Sequence, residues 1–118
     1  MNPARPLPGV RLCALDEIED PGAKGFTFQA EKSWFLGFLV RLGDEVFGYI
    51  DQCPHNGFPL AASPDKFLTR EKDLILCGAH GALFKIGDGA CVAGPCYGKH
   101  LPPWPIALAD GAVFTADG

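Results

Sequence analysis

The sequence predicts an all-β fold, and three observations carry that reading. No window longer than ten residues keeps an apolar rhythm at i, i+3 and i+4 without a Gly or Pro interrupting it. Short apolar runs rich in aromatic and β-branched residues recur instead, each bounded by turn residues. The 15 Gly and 11 Pro together exceed a fifth of the 118 residues, yet 47% of the chain is hydrophobic. That combination describes tight turns between short strands, not disorder.

The elements run in order along the chain. "VRLCAL" (10–15) reads as a first strand, with Cys13 as a packing residue. The acidic "DEIED" (16–20) reads as a solvated turn. "GFTFQA" (25–30) alternates, placing Phe26 and Phe28 on one face. "SWFLGFLVRL" (33–42) is a long, largely apolar strand, "GDE" (43–45) its hairpin turn and "VFGYIDQ" (46–52) the returning strand. An irregular Pro- and Gly-bearing stretch comes next. "DLILC" (73–77) and "ALFKI" (82–86) lead into and out of a second irregular point. "GDGA" (87–90) is a turn, "CVAG" a short strand, and "PIALA", "DG" and "AVFTA" form a closing hairpin. Nine or ten short strands in one domain, 1–118, is the expected architecture. Trp34 and Trp104 are expected in the core or as a lid, and His100 at the surface.

Bulk properties exclude several functions. The net charge of -4 gives no nucleic-acid footprint. The best apolar run, "WFLGFLV" (34–40), is far short of the ~20 residues of a membrane span. The start "MNPARPLPGV" has no apolar signal core. Five cysteines, an odd number, argue against a disulfide framework and for a reducing, cytoplasmic setting with thiols that are free or bound to metal.

The chemistry concentrates between Cys53 and His80. Cys53 and His55 form C-x-H, Cys77 and His80 form C-x-x-H, and 21 residues separate His55 from Cys77. Both pairs fall on loops at strand ends, where a rigid sheet presents a site. Two Cys and two His could hold a structural zinc. Zinc fingers, however, usually group two cysteines in one knuckle and two histidines on a helix, and no helical pattern surrounds His55 or His80. One Cys and one His per loop suits a binuclear [2Fe-2S] cluster better, with two thiolates on one iron and two imidazoles on the other. Gly57, Gly78 and Gly81 would let backbone N–H groups approach the sulfurs.

"CPHNGFPL" and "CGAHGALF" resemble the two loops of Rieske-type [2Fe-2S] proteins. "IGDGACVAGPCYGKHLPPWPI" is similar to the segment that succeeds the second loop in that family, and the resemblance extends over nearly the whole chain. It implies a Rieske-like antiparallel β sandwich or open barrel. A cluster-binding subdomain of two loops, about 52–86, would be inserted in a base formed by 1–51 and 87–118. One [2Fe-2S] cluster per chain would be held by Cys53, His55, Cys77 and His80, and Pro95 would lie in a loop that covers it. The implied role is one-electron transfer between redox proteins: a reductase as donor, an oxygenase or reductase as acceptor. The alternatives are a small subunit of a nitrite reductase-like enzyme and a non-redox module with a structural zinc. Three histidines, two of them assigned to the cluster, leave too few for the mononuclear iron site of a Rieske oxygenase. The chain therefore reads as an electron-transfer protein and not as an enzyme.

The 21-residue spacer is longer than is usual in the family's soluble ferredoxins, and the extra length would extend a polar hairpin tip around "DKFLTREKD" (65–73). Two further departures bear on the potential. Phe58 and Ala79 stand where respiratory members carry a disulfide. Ala82 stands where those members often place a serine that donates to a sulfur, and Phe84 offers no hydroxyl either. Hydrogen bonds to the sulfurs stabilise the reduced state, so their loss lowers the potential. A potentiometric titration is expected to fall toward the low end of the Rieske range, which begins near about −150 mV. A value above roughly +100 mV would contradict this reading.

Overall fold

The structure is a computed structural model describing residues 3–52, 54, 60, 67–77 and 81–117. Nine strands occur among these residues: β1 (Arg11–Ala14), β2 (Gly22–Ala30), β3 (Ser33–Leu42), β4 (Glu45–Ile50), β5 (Leu74–Leu76), β6 (Leu83–Lys85), β7 (Cys91–Ala93), β8 (Ile106–Ala109) and β9 (Ala112–Thr115). They form three antiparallel three-stranded sheets, ordered β1-β9-β8, β2-β3-β4 and β5-β6-β7.

The β2-β3-β4 sheet is the middle layer. Side chains alternate across a strand, and β3 spends both faces on cores. Phe35 and Leu39 enter one cluster with Cys13, Ile18, Trp104 and Val113. Phe38 and Val40 enter the other with Ile75, Cys77, Phe84 and Cys91. This explains the near-continuous apolar run, since a strand covered on both faces loses its polar positions. On the first face Trp104 packs edge-on against Phe26, Phe28 and Phe35, with ring centroids 6.1, 6.3 and 5.3 Å away. Gly37 makes room for it, because a Cβ there would lie 2.5 Å from the indole ring. On the second face Phe38 stacks on Phe67 at 4.3 Å and an interplanar angle of 6°.

Details differ from the sequence reading. Leu42 already pairs with Glu45, so the β3–β4 turn is only Gly43–Asp44. Trp34, expected in the core or as a lid, is 57% exposed near the start of β3. The acidic segment is more than a solvated turn. Residues Leu15–Glu17 form a 3-10 turn, Asp20 accepts the Gly43 N–H at 2.8 Å, and Ile18 is buried. Phe67 is buried, so what the sequence suggests as a polar tip around 65–73 is polar only beyond it. The Leu76 and Thr69 N–H groups donate to the Phe67 and Leu74 carbonyls, making a hairpin onto β5. The β5-β6-β7 sheet continues to Ala93, past residue 86.

Tyr49 joins the middle sheet to the β6–β7 turn: its buried hydroxyl donates to the Ile86 carbonyl. Burial raises its pKa from 10.0 to about 12, with Asp88 adding to the shift. The unfolded chain would release this proton near pH 10 and the folded chain only near 12. Stability from this group is therefore intact below pH 10 and lost between pH 10 and 12. Urea midpoints measured across that window are expected to fall in the wild type. Tyr49→Phe should flatten the fall, at a cost near neutral pH of about 1 kcal/mol for the lost hydrogen bond.

Candidate metal centre

Two described loop bases converge on the second core. The first succeeds β4. Asp51 donates its N–H to the Leu36 carbonyl at 2.9 Å, and its Oδ1 accepts the Leu60 N–H at 2.7 Å. Burial raises the Asp51 pKa, and the bond from Leu60 opposes that shift. Cys53, His55 and Gly57 lie between these residues, outside the described ones.

The second base succeeds β5. Cys77 is 1% exposed and belongs to the core that holds Phe38, Ile75 and Phe84. Its N–H donates to the Ala82 carbonyl at 2.9 Å, and its carbonyl accepts the Gly81 N–H at 2.9 Å. Gly81 has φ 72°, a left-handed conformation that glycine adopts without Cβ strain. A turn closed twice by its own backbone thus separates Cys77 from Gly81, and Gly78 and His80 lie within it, outside the described residues. Ala82 and Phe84 are fully buried, and neither carries a hydroxyl.

A third turn presses on the second. At Gly94 (φ 93°) a Cβ would lie 2.7 Å from the Ala82 Cα and 3.2 Å from its nitrogen. Only a glycine allows that backbone approach. Exposed Pro95 comes next, and the turn is closed by bonds from the Tyr97 N–H to the Gly94 carbonyl and from the Lys99 N–H to the Cys96 carbonyl. Sequence reasoning singles out Gly94-Pro95 by order and distance, but the steric need for Gly94 emerges only when Ala82 is seen beneath it.

The remaining cysteines have other surroundings. Cys13 is a buried free thiol in the first core; burial, then the nearby Glu17 carboxylate, raises its pKa and keeps it protonated. Cys91 is buried and its Sγ donates to the Ala93 carbonyl at 3.2 Å, while Cys96 is wholly buried in the second core. No disulfide occurs among the described residues. His100, Lys85 and Lys99 are exposed.

Residues 10–107 match the family model of the Rieske [2Fe-2S] domain. The chain belongs to that family. No curated protein matches it in sequence. Among solved structures it is similar to the ferredoxin of carbazole 1,9a-dioxygenase from Nocardioides aromaticivorans IC177, with a TM-score of 0.72, 21% identity, and coverage of 95% of this chain and 100% of that one. It is similar to a Sphingomonas yanoikuyae B1 ferredoxin, with a TM-score of 0.67, 25% identity, and coverage of 93% and 99%. It also matches a complex of reduced oxygenase and oxidised ferredoxin in carbazole 1,9a-dioxygenase, with a TM-score of 0.67, 22% identity, and coverage of 91% and 100%.

The Rieske domain carries a [2Fe-2S] cluster, and Cys77, the one expected donor among the described residues, is a soft thiol of the kind such a cluster takes. A buried cysteine sits at the mouth of a backbone-closed turn, and a glycine cradle that a Cβ would fill abuts the same turn. Gly94→Ala is expected to push the Pro95 turn off Ala82 while the β core stays folded. The melting temperature should fall by a few degrees and iron should leave faster under chelator, with loss of visible absorbance. An unchanged rate of iron loss would separate this turn from the centre.

Proposed function

We propose that the chain is a low-potential one-electron carrier with a Rieske-type cluster bound by Cys53, His55, Cys77 and His80, exchanging electrons between a reductase and an oxygenase in the cytoplasm. The observation that carries this is Cys77, buried in the core of a Rieske-family chain at the start of a turn held by its own N–H and carbonyl. A [2Fe-2S] cluster, when bound, supplies a one-electron couple whose potential depends on ligands, hydrogen bonds and exposure. The protein supplies the rest. Cys77 is fixed by core packing, so its thiolate is delivered from the dry side. Gly81, in the left-handed conformation, donates its N–H back to the Cys77 carbonyl. The Gly94–Pro95 turn, set against Ala82, restricts water at the second loop and lowers the local dielectric. Ala82 and Phe84 present no hydroxyl, which keeps the potential low.

Several observations support the partner assignment. Similarity covers whole ferredoxin chains, among them one from a carbazole dioxygenase and one solved with its oxygenase. No helix among the described residues is long and apolar enough to cross a membrane. Cys13 and Cys91 are free thiols, which fits a reducing compartment. The cluster-bearing part would comprise the two loops and the β5-β6-β7 sheet, set on a base of the other two sheets.

Purified protein is expected to be red-brown, with two irons and two sulfides per chain and a rhombic EPR signal after dithionite. Cys53→Ala and His80→Ala should each abolish the colour and the signal. Full iron incorporation in either variant would overturn the ligand assignment, and colourless protein with one zinc per chain would favour a structural staple.

A further inference from the structure

We propose that Asp51 is a positioning residue for the centre, acting as a strap that fixes the loop bearing Cys53 and His55. This rests on the ligand assignment above. Asp51 comes immediately after β4, and its backbone is pinned to β3 by the bond from its N–H to the Leu36 carbonyl at 2.9 Å. Its side chain reaches across the loop, where Oδ1 accepts the Leu60 N–H at 2.7 Å. Leu60 is 1% exposed and packs in the core that also holds Phe38, Phe67, Ile75 and Cys77. One carboxylate therefore ties the outgoing end of the loop to its return, and the return is anchored in the core that contains the Cys77 ligand. Tying Asp51 to Leu60 holds both ends of the intervening segment, and closing a loop removes much of its conformational freedom. Both first-loop ligands lie within that segment.

The strap requires an acceptor oxygen at this reach, not a charge. Asparagine keeps such an oxygen, alanine removes it, and glutamate keeps the charge but moves the oxygen out by one methylene. A buried N–H left without a partner is costly.

The test uses the loaded full-length protein and measures iron release to a chelator, the reduced-state EPR g-values and the potential. Asp51→Ala should release iron about tenfold faster, equivalent to about 1.4 kcal/mol, and should alter the g-value spread. Asp51→Asn should keep the wild-type release rate and g-values, whereas Asp51→Glu should resemble Ala. If Asp51→Ala does not accumulate folded, the Asn and Glu variants decide. Wild-type behaviour in both Ala and Glu, or equal impairment in Asn and Ala, would overturn the strap. Wild-type protein without iron and sulfide would overturn the ligand assignment itself.

Discussion

The two-sided burial of one strand constrains everything else. Phe35 and Leu39 on one face of β3 and Phe38 and Val40 on the other belong to different cores, yet all four are fixed by one backbone register. A one-residue slip would exchange the faces, placing Phe38 against Trp104 and the ring of Phe35 toward Phe67. The register is secured by nine paired positions to β2 and six to β4. Each outer sheet is thereby oriented by the same strand. The β5-β6-β7 sheet, which leads into and out of the second loop, inherits its position from Phe38 and Val40.

The described residues around the proposed centre are positioned mainly by backbone groups. Cys77 is held by its own N–H and carbonyl, Gly94 fits because it has no side chain, and Asp51 contributes a single carboxylate oxygen. Such an arrangement suits a cluster whose sulfurs take hydrogen bonds from nearby donors and whose potential responds to each of them. Main-chain closures have fewer alternative conformations than a network of side chains with several rotamers.

Much of this is legible in the sequence, and the reasons are particular. The β3 run from Ser33 to Leu42 is readable end to end, because in a chain rich in turn residues a ten-residue, largely apolar run without Pro is most simply a strand, and its two buried faces account for how few polar positions it has. The C-x-H and C-x-x-H spacings suggest a ligand set because ligand spacing is a local property, and of these four residues only Cys77 is among the described ones. The features that escape a sequence reading are non-local. Nothing around Trp34 distinguishes it from a core tryptophan; its 57% exposure is seen only in the fold. Asp51 looks like an ordinary strand-end residue until Leu60, nine residues on and at the far end of the irregular stretch, is seen donating to it. Gly37 and Gly94 resemble any strand or turn glycine until the Trp104 ring and the Ala82 backbone are seen against them.

The long spacer between the two ligand pairs illustrates how local polarity misleads. "DKFLTREKD" is dominated by charge, and a polar extension is its natural reading. Two of its residues decide otherwise. Phe67 stacks nearly parallel on Phe38, and Leu68 bridges to Ile75 across a short antiparallel hairpin. The charged residues occupy the tip, where Thr69 Oγ1 donates to Asp73 at 2.7 Å and Lys72 reaches Glu19 at 2.7 Å. The second contact is a largely exposed ion pair of the kind that contributes little on its own. The aromatic stack is buried in the same core as Cys77 and Leu60. The spacer therefore supplies a further anchor between the middle sheet and the β5-β6-β7 sheet, on the core that both loop bases share.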